Sequence, residues 1–189
     1  MSWPAAVILR GKHVTVAPLD PSHAEGLAQA AEGLEGLWYT WVPAPSEMAA
    51  EIERRLNTPN MCAFALLLPD GTPMGMTTYM HTDPINLRVE IGSTWIGKAV
   101  QRSPFNTEAK HLLLKHAFEA LDCIAVEFRT HRLNLQSRRA IERLGAQLDG
   151  ILRAHMMLPN GTVRDTAVYS ITANEWPVID AHLRQKLAQ

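Results

Sequence analysis

The stretch Glu90-Ile91-Gly92-Ser93-Thr94-Trp95-Ile96-Gly97, followed at once by Gln101-Arg102-Ser103-Pro104-Phe105-Asn106-Thr107-Glu108-Ala109, decides the fold. An apolar strand that breaks at a short turn of small and polar residues and runs into a helix presents several backbone N–H groups to an anion. This is a phosphate cradle in outline. The glycine patterns of dinucleotide and nucleoside-triphosphate sites are absent, and strand-turn-helix alone is common, so these residues by themselves name no ligand.

Around that unit the chain lays out a mixed sheet. Val14 and Val16 alternate with polar neighbours over 12–19, as a half-buried first strand should. Asp20 with Pro21 opens a helix whose Ala24, Leu27, Ala28 and Ala31 share a face until Gly33 and Gly36 weaken it. A loop through Trp38, Tyr39, Trp41 and Pro43-Ala44-Pro45 leads to a second helix, with Ser46 as its cap and Met48, Ile52 and Leu56 as its stripe. Strands over 61–68 and 74–81 join at Pro69-Asp70-Gly71-Thr72-Pro73 as an antiparallel hairpin, and 88–96 extends the sheet. The next helix opens near Asn106 and carries Leu113, Leu114, Ala117, Phe118 and Leu121 at helical spacing. Glu108 stands in its first turn, where the macrodipole favours an acid. A short buried strand over 124–128 follows, then a helix capped by Asn134, with Ala140, Ile141 and Leu144 inward and Gly145 as a left-handed stop. Strands over 148–158 and 164–171 turn at Pro159-Asn160-Gly161, and 174–188 closes the chain as a helix. The strand-helix-strand unit over 88–128 implies one parallel pair.

The 189 residues are enough to bury a real core, and no repeat or low-complexity tract divides them, so one domain over 1–189 is expected. With 18 Lys+Arg against 19 Asp+Glu the net charge is -1, which offers no global attraction to nucleic acid or to an anionic membrane. Cys62 and Cys123 each sit in an apolar run and suit reduced, buried thiols of a cytoplasmic protein. No apolar run is long enough to span a bilayer, and the N-terminus lacks the pattern of an export signal. Among the eight histidines, His111 and His116 fall five apart, off a common helical face, and no His-Glu-x-x-His pattern exists, so no metal site is expected.

The block Gln101 to Ala109 resembles the acetyl-CoA signature of the GNAT N-acetyltransferases, Gln/Arg-x-x-Gly-x-Gly/Ala, and its Thr107-Glu108-Ala109 is similar to the RimJ/RimL-type branch that acetylates ribosomal-protein N-termini. Asn134-x-x-Ser137, Ala140-Ile141-Glu142-Arg143-Leu144-Gly145-Ala146, Gly150-x-x-Arg153 and Gly161-x-x-Arg164-Asp165 follow the same branch in order and spacing. The resemblance covers nearly the whole chain. It departs at Pro104, which stands where the first glycine usually sits and has no N–H to offer a pyrophosphate, and at Asn106, which stands at the Gly/Ala position. The resemblance implies the GNAT fold, of α/β (α+β) class: a mixed, mostly antiparallel sheet of about seven strands, with a parallel pair around the acetyl-CoA site and flanking helices.

Acetyl transfer from a thioester to an amine needs a pocket for coenzyme A, a deprotonated amine, a polarised carbonyl and a proton for the departing thiolate. The resemblance places Glu90 as the base, against its plain reading as an outward strand glutamate. It places Asn134 on the pantetheine arm and Ser137 at the thioester sulfur, although both also read as an ordinary helix cap. Tyr169 is a second proton donor, or a strand tyrosine with a buried ring. Backbone N–H groups of Arg102, Ser103, Asn106 and Thr107 are the pyrophosphate donors, with Ile96, Gln101, Phe105 and Arg139 completing the cofactor set. Arg139 belongs to a cluster with Arg129, Arg132, Arg138 and Arg143 that reads as a contact for the 3′-phosphate or RNA, or as a solvated face. Trp38, Tyr39 and Trp41 line the acceptor pocket or form a lid over the core.

The implied activity is an acetyl-CoA-dependent N-acetyltransferase without a covalent enzyme intermediate, without a metal, and with no nucleic-acid or membrane partner. A catalytically weak acyl-CoA sensor of the same fold is the alternative, and Pro104 lends it weight. A ribosome- or RNA-associated module using the arginines over 129–143 is a third, against which the near-zero net charge argues. Peptide N-termini, polyamines and amino sugars all remain open as acceptors, and a homodimer through the C-terminal hairpin or helix fits the resemblance.

Overall fold

A computed structural model describes residues 3–34 and 36–189. Its strands are β1 (Leu9–Arg10), β2 (Thr15–Pro18), β3 (Cys62–Leu67), β4 (Pro73–Asp83), β5 (Arg88–Ile96), β6 (Ala125–His131), β7 (Gln147–Met157) and β8 (Val163–Thr172). Its α-helices are α1 (Ala24–Ala31), α2 (Met48–Leu56), α3 (Pro104–Glu119), α4 (Leu135–Arg143) and α5 (Trp176–Leu187). The sheet runs β1-β2-β3-β4-β5-β6-β8-β7, antiparallel throughout except where β5 and β6 run parallel. The fold class and the parallel pair are as expected, and the eighth strand is the short edge segment β1.

Side chains that alternate along the strands sort into two cores, one on each face. Phe64 and Leu66 of β3, Tyr79 of β4, Val89 and Ile91 of β5 and Val126 and Phe128 of β6 pack with Phe105, Leu113, Leu114 and Ala117 of α3 and Trp176 and Leu183 of α5. Ala63 and Ala65 of β3, Met76 of β4 and Trp95 of β5 pack instead with Leu27 and Ala31 of α1 and Met48 and Ile52 of α2. The helices therefore cover both faces of this mixed, mostly antiparallel sheet.

Some local expectations are corrected. A 3₁₀ turn over Pro45–Glu47 precedes α2, whose start carries no side-chain cap, so Ser46 does not act as one. Helix α3 opens two residues before Asn106, because Ser103 accepts the Phe105 N–H at 3.2 Å and Pro104 occupies the first helical position, where its missing N–H breaks no helical bond. Glu108 lies beyond the first turn of α3 and does not serve the dipole. It is buried and accepts the N–H groups of Lys12, His13 and Val14 at 2.9, 2.5 and 3.0 Å, tying the approach to β2 onto α3. Asn134 does cap α4, accepting the Ser137 N–H at 3.1 Å, and Gly145 takes φ +100.

Candidate active site

The parallel ladder between β5 and β6 has three rungs, Arg88 with Ala125, Val89 with Val126 and Glu90 with Glu127, after which the strands diverge. Beyond the last rung the edges of β5 and β6 that would have paired face a cleft of about 470 Å³. Antiparallel pairing to β4 pushes β5 outward at the same place. Met76 opposes Trp95 while Thr78 opposes Gly92, so β5 carries an extra residue, and Ser93 there has φ +51.

Alternation gives the cleft two different halves. Glu90 and Gly92 lie on the α1/α2 face, and a methyl group added to Gly92 would come 2.8 Å from Glu90 Oε1. Glu127, Arg129 and His131 of β6 follow the same parity, opposite to the core residues Val126 and Phe128. Glu90 is 5 % exposed. Its Oε2 lies 2.8 Å from His81 Nδ1 and 3.4 Å from Arg129 Nε. Burial alone would raise the Glu127 carboxyl, but hydrogen bonds from Arg88 and Arg129 outweigh it and hold Glu127 below the ordinary glutamate range. Arg164 donates from Nε to Thr166 Oγ1 at 2.9 Å, is lowered by burial, and feels the Glu90 charge in the opposite sense. His131 Nδ1 accepts the Leu133 N–H at 3.0 Å, which leaves the proton of the neutral ring on Nε2. That Nε2 is buried and has no partner among the described residues, and burial together with Arg164 and Arg132 lowers the ring's pKa.

The other half, towards α3 and α4, holds Ile96, Asn106, Asn134, Ser137, Ala140, Ile141 and Lys110. Asn106 and Lys110 are one turn apart on α3. Asn106 Oδ1 is buried without a donor among the described residues. Lys110 Nζ sits 3.1 Å from Thr77 Oγ1 and 2.6 Å from Thr94 Oγ1, and burial pushes its pKa down to about 7.

Of the residues singled out in the sequence, Glu90, Ile96, Asn106, Asn134, Ser137, Tyr39 and Trp41 meet in this one cleft. Trp38 stands beside it, 54 % exposed, with its ring 5.0 Å from that of Tyr39 and 5.3 Å from that of His131. Gln101, Arg102 and Ser103 form the exposed turn before α3, and Thr107 is half-buried in its first turn. Phe105 is core, 2 % exposed, so its side chain cannot be a ligand contact, although its N–H belongs to the turn. Arg139 is exposed on α4 outside the cleft lining. The arginine cluster disperses: Arg129 pairs with Glu127, Arg132 with Asp165, and Arg138 donates to the Tyr169 hydroxyl at 2.7 Å. That Tyr169 ring is fully buried and its hydroxyl donates to Glu142, so it packs rather than facing the cleft. Lys110, His131, Arg164 and His81 were not anticipated. The alternation Glu127-Arg129-His131 could have signalled His131 and the spacing Asn106/Lys110 could have signalled Lys110, whereas nothing local marks His81 or gives Arg164 a role beyond its motif.

The family model of the acetyltransferase (GNAT) domain matches residues 13–147. The chain belongs to the GNAT acetyltransferase family. It is 30% identical over 174 residues to the Bacillus subtilis (strain 168) protein named "Putative ribosomal N-acetyltransferase YdaF", covering 87% of this chain and 94% of that one. The crystal structure of a GCN5-related N-acetyltransferase from Brucella melitensis superposes with a TM-score of 0.89 at 30% identity, covering 98% of this chain and 87% of that one. The microcin C7 self-immunity acetyltransferase MccE, solved with acetyl-CoA and AMP, shares the fold at TM-score 0.73 and 19% identity, over 86% of this chain and 93% of that one. The residues of this GNAT chain fit coenzyme A chemically. The open edge of β5 and the buried Asn106 Oδ1 suit amide groups of a pantetheine arm, and the start of α3 suits an anion.

Proposed function

We propose that this GNAT enzyme transfers acetyl from acetyl-CoA directly to a primary amine that carries a neighbouring carbonyl oxygen, of which a peptide N-terminus is the leading case. Acetyl-CoA supplies an activated acyl group whose thiolate is the leaving group. The observation that carries the reading is the fork between β5 and β6, with Glu90 at its apex on one face of the sheet and Asn134 and Ser137 on the other. Glu90 takes the amine's proton as the C–N bond forms. Ser137 offers its hydroxyl to the sulfur as the C–S bond breaks. Asn134, with Asn106 and the amides of Arg102, Ser103 and Thr107, holds the pantetheine and pyrophosphate, while Tyr39 and Trp41 border the acceptor.

The acceptor class is supported by two donors beside Glu90. His131 has an Nε2–H with nothing to bond, and Arg164 forms no ion pair among the described residues. A buried donor at His131 and a half-buried one at Arg164 ask for an acceptor, and an oxygen next to the amine answers them where a polyamine cannot. The name of the B. subtilis relative points the same way. A homodimer finds support in β7, the open edge of the sheet, with Leu148, Leu152, Met156 and Met157 exposed, and sedimentation would read it.

Thiol release measured over a panel of peptides, polyamines and amino sugars is the test. Turnover confined to acceptors with the adjacent carbonyl is expected. Preference for polyamines would overturn the acceptor class. Acetyl-CoA binding, seen as thermal stabilisation, without thiol release on any amine would favour the sensor alternative.

A further inference from the structure

The amine of Lys110 is the one cation on the α3 side of the cleft that no carboxylate answers among the described residues. It is 7 % exposed. Thr77 of β4 and Thr94 of β5 face it and share a hydrogen bond of 2.7 Å. An ammonium there donates one N–H to each threonine oxygen and retains a third with no partner among the described residues. No charged group faces it from either strand. On its own helix, Glu108 is committed to the backbone of Lys12, His13 and Val14, and His111 to Asp180 at 2.7 Å. Across the cleft, Glu127 and Arg129 of β6 belong to the opposite face.

A purely structural lysine would be an odd choice at such a position, because two threonines satisfy each other and a buried charge without a counter-ion is costly. A residue that gives up a proton easily is another matter. Resting on the acetyl-transfer reading above, we infer that Lys110 supplies the proton that leaves with the thiolate of coenzyme A, while Ser137 only holds the sulfur. The C–S bond breaks with its electron pair on sulfur, the ammonium of Lys110 transfers H⁺ to that sulfur, and the resulting neutral amine is reprotonated from solvent before the next turnover. The amine's own proton goes to Glu90, so each proton is accounted for. Acid strength favours the assignment. An alkyl thiol has a pKa of about 8.5, a serine hydroxyl is a far weaker acid, and burial sets Lys110 near the thiol value with a pKa of about 7.

The experiment compares the wild-type enzyme with Lys110→Met and Lys110→Arg. At saturating substrates the wild-type kcat should fall as pH rises above about 7, up to tenfold per unit, because the acid is being titrated away. Lys110→Met should lose roughly 10²-fold in kcat together with that alkaline limb, and Lys110→Arg, which keeps the charge but holds its proton, should not restore it. A second readout needs no turnover. Coenzyme A should bind the wild-type protein roughly 10-fold more tightly than desulfo-coenzyme A by calorimetry, and the margin should vanish in Lys110→Met. A wild-type profile without the alkaline limb, or an unchanged sulfur margin in the variant, overturns the proposal, and the first of these decides even if the variants fail to fold. Absence of thiol release from the wild-type enzyme on every amine would instead bring down the acetyl-transfer reading, and this inference with it.

Discussion

The guanidinium of Arg55 donates from Nη1 to the carbonyl oxygen of Ser93 at 3.0 Å. Ser93 is the bulged residue of β5, and its positive φ turns that carbonyl out of the ladder towards α2. Arg55 is 1 % exposed and is held in turn by Glu51 at 2.5 Å. A buried pair therefore fixes the bend that opens the fork. Arg55→Met strands the Ser93 carbonyl and leaves Glu51 with only the half-exposed Arg54. Unfolding in urea should show a loss of about 3 kcal/mol, and acetyl-CoA stabilisation should weaken as β5 relaxes. Wild-type stability in the variant would mean that the bulge needs no external support.

Glu90→Gln keeps the shape beside His81 but removes the base. The maximal rate should fall by roughly 10²-fold, with acetyl-CoA stabilisation unchanged. Between about pH 6 and 7, below the fall-off expected from Lys110, raising the pH should recover part of the loss, since more of the amine then arrives neutral. Turnover equal to wild type on a confirmed acceptor would remove Glu90 from the mechanism.

Gly92 leaves the space beside its Cα to the Glu90 carboxylate and the Met80 thioether. A Cβ at 92 would sit 2.7 Å from Met80 Sδ and 2.8 Å from Glu90 Oε1. Both are ends of flexible side chains, so Gly92→Ala should fold with a stability change within about 1 kcal/mol while displacing the carboxylate. Steady-state kinetics should show kcat reduced and the melting temperature nearly kept.

Asn134 and Ser137 should fail differently. The Asn134 side chain caps α4 by accepting the backbone N–H of Ser137, so Asn134→Ala should cost ~1 kcal/mol and weaken acetyl-CoA binding together. Ser137→Ala leaves that backbone bond in place. Its stability should hold while kcat falls, and equal melting temperatures for the two variants would contradict the cap.

Burial of Lys110 also predicts a pH dependence of stability. The amine has a pKa of about 7 when folded against 10.5 for the free side chain, so the unfolded chain holds the extra proton between those values. Its destabilising contribution is complete below pH 7 and is relieved as the pH rises towards 10. Relative to Lys110→Met, which removes the titration, wild-type stability should gain up to ~1.4 kcal/mol per pH unit across that window. Denaturant titrations of both proteins at about pH 7, 8 and 9 measure the slope, and a constant difference would show the amine charged in the folded state.

Much of this protein is local and was legible in its residues. Asn134 and Gly145 bound α4 because a cap and a left-handed stop depend on neighbours within one turn. The β3/β4 and β7/β8 hairpins follow from their turn residues, and the parallel β5/β6 pair follows from the single helix between them. The GNAT resemblance was carried by the same short motifs. What the residues could not settle depends on partners far along the chain. Glu108 looked like a dipole acid until three amides 94 to 96 residues away claimed it. Phe105 reads as part of the cradle but belongs to the core, and three of the five arginines, Arg129, Arg132 and Arg138, take separate partners. Lys110 belongs to no motif in the sequence, yet it lies under two threonines of neighbouring strands. The division between Glu90 and Lys110 on opposite faces of one fork was likewise decided only by tertiary structure. A one-residue bulge at Ser93 reverses the side-chain parity of β5, and sheet register, unlike helix periodicity, is set by pairing with strands elsewhere in the chain.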